Sequence, residues 1–301
     1  MRSLAIALVL WGVWLGSVAS PSPEFQGERA LMLARRLVAF GPRVPGTAAH
    51  RQAAAWLKEE IVRRGGRLEV RRFTGTLQDR PVSCVNLIGR TGPPGPAVVV
   101  LMAHWDTRPW CDRDPEPAAR QRPGPGANDG ASGVAVLLEL LPLLPRDLSV
   151  ATVLVDGEDL GQSPETYAQG SRAIAPSLAR ERPRWALVLD MVGRKDVRFL
   201  REGASLKSAP WLLERLETAA VREGASHHFT GRAGAEMFDD HTPLIAAGIP
   251  AVDLIDMEDP AWHTHADGYD RLSPATLEAV GRTVARLLRG ESAPQGGVPS
   301  P

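Results

Sequence analysis

Cysteine, lysine and net charge are all scarce in this 301-residue chain, and each scarcity excludes something. Two cysteines, Cys84 and Cys111, are too few for a disulfide framework or a cysteine-built zinc site. Acidic and basic residues balance at 35 each, so the basic surplus that a nucleic-acid partner demands is missing. Among the bases only Lys58, Lys195 and Lys207 are lysines, an arginine bias we read as genome composition. No apolar run reaches the ~20 residues needed to cross a bilayer. The run from Leu4 to Leu15 follows Arg2 and leads into Ser17-Val-Ala19, a small-x-small pattern. That layout predicts a secretory signal peptide over residues 1–19, hence a secreted or periplasmic protein with no span left after cleavage. In such an oxidising compartment Cys84 and Cys111 either pair or remain a buried thiol and a loop thiol.

What is present is an ordinary globular composition, 44% hydrophobic and 23% charged, with no repeat and no long linker. We expect one domain over residues 25–289 and a flexible Gly/Pro/Ser-rich tail over 290–301. Apolar residues at helical spacing predict helices over 27–39, 52–64, 130–144, 171–179, 211–223, 242–247 and 274–288. Short β-branched stretches at 67–73 and 82–88 predict a strand pair. Four apolar runs follow: 97–103, 150–155, 185–189 and 251–255. Continuous apolar strands alternating with helices imply an α/β fold, a mixed, largely parallel twisted sheet flanked by helices on both faces. The loop over 109–126 is long for a compact domain, and such loops usually serve function.

Open sheets of this kind bind ligands at the C-terminal ends of their strands. There the sequence places His104 and Asp106, then Asp156, Glu158 and Asp159, then Asp190, with Trp262 and His263 a few residues past the fourth run. Asp129 opens a helix in Gly126-Ala-Asn-Asp-Gly-Ala-Ser-Gly133. Taken singly, each has an ordinary explanation as a helix cap, a solvated charge or a surface histidine. Clustered at one sheet edge, the acids repel one another unless a cation offsets them.

His104-Trp-Asp106, the glycine-rich turn around Asp129, Val155-Asp-Gly-Glu-Asp159, Gly170-Ser-Arg172, Leu189-Asp-Met-Val-Gly193, Asp239-Asp-His241 and Trp262-His-Thr264 occur in an order that resembles the zinc-aminopeptidase-like superfamily. Within it the chain looks most like the glutaminyl-peptide cyclotransferases, over essentially the whole mature length. Asp239 and Trp262 are the two positions that resemble the cyclases rather than the aminopeptidases. The resemblance implies a zinc exopeptidase-like, phosphorylase/hydrolase-like fold and one zinc held by Asp129, Asp159 and His263. It further implies Glu158 as general acid/base, Asp190 and Asp239 in a supporting hydrogen-bond network, and peptides or proteins with N-terminal Gln as substrates of a monomeric enzyme. Asp159 stands where animal cyclases carry Glu, so it is either a ligand or a carboxylate that orients one. Trp262 is either a pocket wall or a core residue. Trp105 and Trp110 are placed at the entrance, and Met191 and Trp211 in the core. If the protein is instead a dizinc aminopeptidase, His104 and Asp190 complete a second metal site. A third alternative is a non-catalytic module that binds peptide termini.

Overall fold

The computed structural model describes residues 24–292. The segment expected to be a signal peptide and residues 293–301 of the expected tail lie outside them. The elements run α1 (Gly27–Val38), α2 (Ala48–Arg63), β1 (Arg67–Leu77), β2 (Arg80–Thr91), β3 (Val99–His104), α3 (Gly133–Leu140), β4 (Val150–Val155) and α4 (Gln169–Glu181). They continue as β5 (Trp185–Asp190), β6 (Phe199–Arg201), α5 (Gly203–Ser208), α6 (Pro210–Arg222), β7 (Phe229–Ala233), α7 (His241–Ala246), β8 (Ala251–Ile255) and α8 (Pro274–Ser292).

Six strands form one sheet in the order β1-β2-β4-β3-β5-β8. β4, β3, β5 and β8 are mutually parallel, and the β1–β2 hairpin joins β4 antiparallel. Every residue of the four parallel strands is buried, as their unbroken apolar runs require. Alternation sorts their side chains. Val99, Leu101 and Ala103 of β3 point to the cluster that includes α1, α3 and α8, while Val100 and Met102 meet Ile174 of α4 and Leu244 of α7. The sheet is thus covered on both faces. Among the described residues no helix is long and apolar enough to cross a membrane.

Differences from the sequence expectation sit where local chemistry competes with periodicity. The hairpin reaches Leu77 and turns at Gln78 and Asp79, both with positive φ, as a two-residue turn between twisted strands demands. The helix expected over 130–144 is regular only from Gly133 to Leu140: a wide turn precedes it, and Pro142 tightens its end into a 3₁₀ turn. The last helix continues to Ser292, into the stretch expected to be tail. β6, α5 and β7 have no sequence signal because each is too short or too polar to show a period.

Candidate active site

The parallel strands deliver the candidate side chains. His104 ends β3, Asp190 ends β5, and Glu158 and Asp159 follow β4. β3 is the switch point of the sheet, because the chain next adds β4 on one side of it and then β5 on the other.

Asp129 is placed by the wide turn before α3, at φ −94° and ψ 91°. The Asn128 and Asp129 N–H groups donate to the Asp267 carboxylate at 2.8 and 3.2 Å. The Asn128 side chain donates to Asp259 at 2.7 Å and accepts from the Gly193 N–H at 2.8 Å. Arg43, fully buried, donates to the carbonyls of Trp105, Pro125 and Gly126 at 2.8, 2.9 and 2.7 Å, tying the end of β3 to this turn. A Cβ at Gly130 would lie 2.4 Å from both the His104 carbonyl oxygen and its Nε2, so only glycine allows the approach.

His263 sits after β8 with φ at +58°. That backbone costs about 1–3 kcal/mol and persists only where its surroundings enforce it. Here the His263 carbonyl accepts from the Arg113 N–H at 3.2 Å, and Nδ1 lies 3.2 Å from Asp112.

These elements close around a pocket of about 130 Å³ lined by Asp129, Glu158, Asp159, Asp190, Asp239, Trp262 and His263, together with Tyr167, Met191 and Phe238. His263 Nε2 lies 3.5 Å from Asp159 Oδ1 and 3.8 Å from Asp129 Oδ2. Ligand atoms about 2.0–2.1 Å from a tetrahedral zinc stand about 3.3 Å apart, so the spacing suits that ion. Asp159 Oδ2 is buried with no hydrogen-bond partner, and a cation is the kind of group such an oxygen would serve. His104 Nε2 lies 3.0 Å from Asp129 Oδ1 and 3.2 Å from Asp190 Oδ1. With its two aspartates, His104 makes a second group of possible ligands next to the first.

Electrostatics point the same way. Burial, then the neighbouring Asp159 and Asp239 carboxylates, hold the Glu158 carboxyl well above the usual range. Burial raises Asp190 to about 7, opposed by its contact with His104 and reinforced by Asp239. Buried carboxylates outnumber buried bases here, and a bound cation is what relieves such a surplus.

Several residues stand elsewhere than expected. Trp105 is not at an entrance but fully buried, stacked on His50 with ring centroids 4.5 Å apart and donating to the Val85 carbonyl. Trp211, expected in the core, is 40% exposed on the first turn of α6. Met191 is buried yet faces the pocket, and Trp110 borders a neighbouring cleft. Asp106 accepts from the Glu158 and Asp159 N–H groups at 3.2 and 3.3 Å, and Asp156 pairs with His50. Both support the site from outside the pocket. Cys84 and Cys111 are separate, buried thiols. Sequence reasoning missed Arg108, Asp112, Asp267, Tyr167 and Phe238, which lie in loops without periodicity.

The fold and this acid-rich site at its switch point are those of a metal-dependent exopeptidase scaffold. A model of peptidase family M28 matches residues 86–288, and the chain belongs to that family. A glutaminyl cyclase from Bacteroides thetaiotaomicron, solved with N-acetylhistamine bound, is 33% identical with a TM-score of 0.85, over 89% of this chain and 98% of that one. A protein described as a leucine aminopeptidase precursor from the same organism is 32% identical at TM-score 0.85, over 90% and 99%. The glutaminyl-peptide cyclotransferase-like protein of Bos taurus is 25% identical over 280 residues, 82% of this chain and 71% of its own length.

Proposed function

We infer that this protein is a zinc-dependent glutaminyl-peptide cyclotransferase, which converts the N-terminal Gln of a peptide or protein to pyroglutamate with release of ammonia. The observation that carries the reading is the small pocket itself. It is walled by Trp262, holds buried Glu158 beside Asp190 and Asp239, and brings Asp129, Asp159 and His263 to one point. A volume of about 130 Å³ suits one side chain folded back on its own amine.

Asp129, Asp159 and His263 would hold one zinc ion per chain, which supplies Lewis-acid stabilisation of negative charge developing on the substrate amide oxygen. The nucleophile is the substrate's α-amine. Its nitrogen bonds to the side-chain amide carbon, the bond from that carbon to the amide nitrogen breaks, and ammonia leaves. Glu158 takes the proton from the attacking amine and returns it to the departing nitrogen. Trp262 presses the Gln methylenes into the folded conformation, and well-oriented intramolecular attack reaches effective molarities of about 10⁵–10⁸ M. Burial, then the neighbouring Asp159 and Asp239 carboxylates, keep the Glu158 carboxyl in a protonatable range, and Asp190 lines the same pocket. His104 with Asp129 and Asp190 would complete a second metal site, so two zinc ions per chain in metal analysis would overturn the single-ion reading.

Export through the N-terminal segment and a monomeric state belong to the same proposal; sequencing of the mature N-terminus and light scattering test them. The decisive experiment is mass spectrometry of a Gln-initiated peptide incubated with the protein at pH 8, with and without a chelator. Chelator-sensitive loss of one ammonia at unchanged chain length is expected. Release of the first residue, also from a Leu-initiated control, would indicate the dizinc aminopeptidase instead. No change in either peptide would favour the binding module.

A further inference from the structure

The long loop after β3 carries a group of side chains that the chemistry above does not use. Arg108 lies in this loop and is buried. Its Nε and Nη2 donate to the two oxygens of Asp112 at 2.8 and 3.1 Å, a bidentate pair. Its Nη1 reaches Asp159 Oδ1 at 3.3 Å and the Gly161 carbonyl at 3.0 Å. Asp112 in turn lies 3.2 Å from His263 Nδ1, the ring nitrogen on the side away from Asp129 and Asp159. One arginine therefore touches one of the three candidate ligands, Asp159, directly and a second, His263, through a single carboxylate.

We propose that Arg108 and Asp112 are positioning residues of the metal centre: Asp112 fixes the His263 ring with Nε2 facing the ion, and Arg108 locks Asp112 and Asp159 in one rigid unit. The inference rests on the reading that Asp129, Asp159 and His263 hold zinc. Its physical basis is orientation. An imidazole whose Nδ1 faces a carboxylate keeps its proton there and presents a lone pair at Nε2. Asp159 has a short side chain and few rotamers, so a guanidinium 3.3 Å from Oδ1, the oxygen that also lies 3.5 Å from His263 Nε2, fixes the direction of the whole carboxylate. Aromatic packing restrains the clamp, since the Arg108 guanidinium lies 5.2 Å from the Trp110 ring centre and 5.3 Å from that of Tyr167. Asp112 is half-exposed, so its replacement leaves the core intact.

The test is zinc affinity, measured by competition with a chromophoric chelator on the metal-stripped full-length protein. Asp112→Ala is expected to weaken zinc binding by about 10–100-fold, the usual loss when a ligand's outer partner is removed. Its metal-free melting temperature should match that of the parent. Asp112→Asn keeps an acceptor oxygen toward Nδ1 and should recover part of the affinity. Arg108→Lys cannot bridge two carboxylates and should resemble Asp112→Ala; loss of fold in that variant leaves the Asp112 pair to decide. Zinc affinity of Asp112→Ala within twofold of the parent would overturn the inference while leaving the zinc reading intact. A parent protein that binds no zinc, or a His263→Ala variant that binds it equally well, would remove both.

Discussion

Glu158 is the residue on which the proposed chemistry turns. Glu158→Gln keeps the shape and removes the base, so zinc content and melting temperature should be retained while cyclisation falls by about 10²–10⁴-fold, read as kcat on a Gln-initiated peptide. Acidity follows from the same side chain. In the proposed mechanism the base is ionised Glu158, whose carboxyl is raised by burial and by Asp159 and Asp239, and the nucleophile is a neutral α-amine with pKa about 7.7–8.0. Both active forms accumulate as pH rises, so kcat/KM should climb from pH 6 to about 8 and then level. A maximum near pH 5 would contradict both. These residues were legible in the sequence because each follows an apolar strand at a fixed offset. Arg108 and Asp112 were not, since a loop of Pro, Trp, Cys and Arg has no period from which to infer direction. Trp105 and Trp211 exchanged their expected places for the same reason. A single tryptophan after a strand gives no sign of the His50 ring waiting beneath it, and Trp211 sits on a helix turn that projects outward.

At the scale of elements, the turn before α3 does more than start a helix. Arg43 stitches it to the end of β3 by three hydrogen bonds to carbonyl oxygens, from a position where burial lowers its pKa to about 10. Arg43→Met would leave those acceptors buried without donors. A loss of about 3–5 kcal/mol is expected in denaturant titrations, with weaker zinc binding because Asp129 shares the turn. Stability unchanged within 1 kcal/mol would show that water replaces the guanidinium. The four parallel strands and their helices were readable because apolar runs and 3.6-residue spacing survive burial on both faces. The turn around Asp129 was readable too, but not its extent to residue 132, because the helix signal begins at residue 130 while contacts with Asp267, Asp259 and Gly193 hold the preceding backbone in place.

For the molecule as a whole, the proposed metal centre would couple the site to the fold. Asp129, Asp159 and His263 come from three segments distant in sequence, so an ion that bridges them stabilises only the folded chain. Zinc at about 100 times its Kd adds about 2.7 kcal/mol. Calorimetry of stripped and reloaded protein should therefore show a melting temperature that rises with zinc and falls with chelator, in step with activity. An unchanged melting temperature alongside lost activity would place the ion at a site that does not bridge segments. By itself the amino-acid order determined the layered α/β plan and the set of acids and histidines at the strand ends, because hydrophobic period and short-range offsets are local properties. Tertiary structure alone decided which of those polar groups face the pocket, that Asp106 and Asp156 support it from outside, that Cys84 and Cys111 stay apart, and that a loop arginine reaches back to Asp159. Those outcomes depend on contacts between segments 50 or more residues apart, and close approach across such separations is set by packing, which no local pattern records.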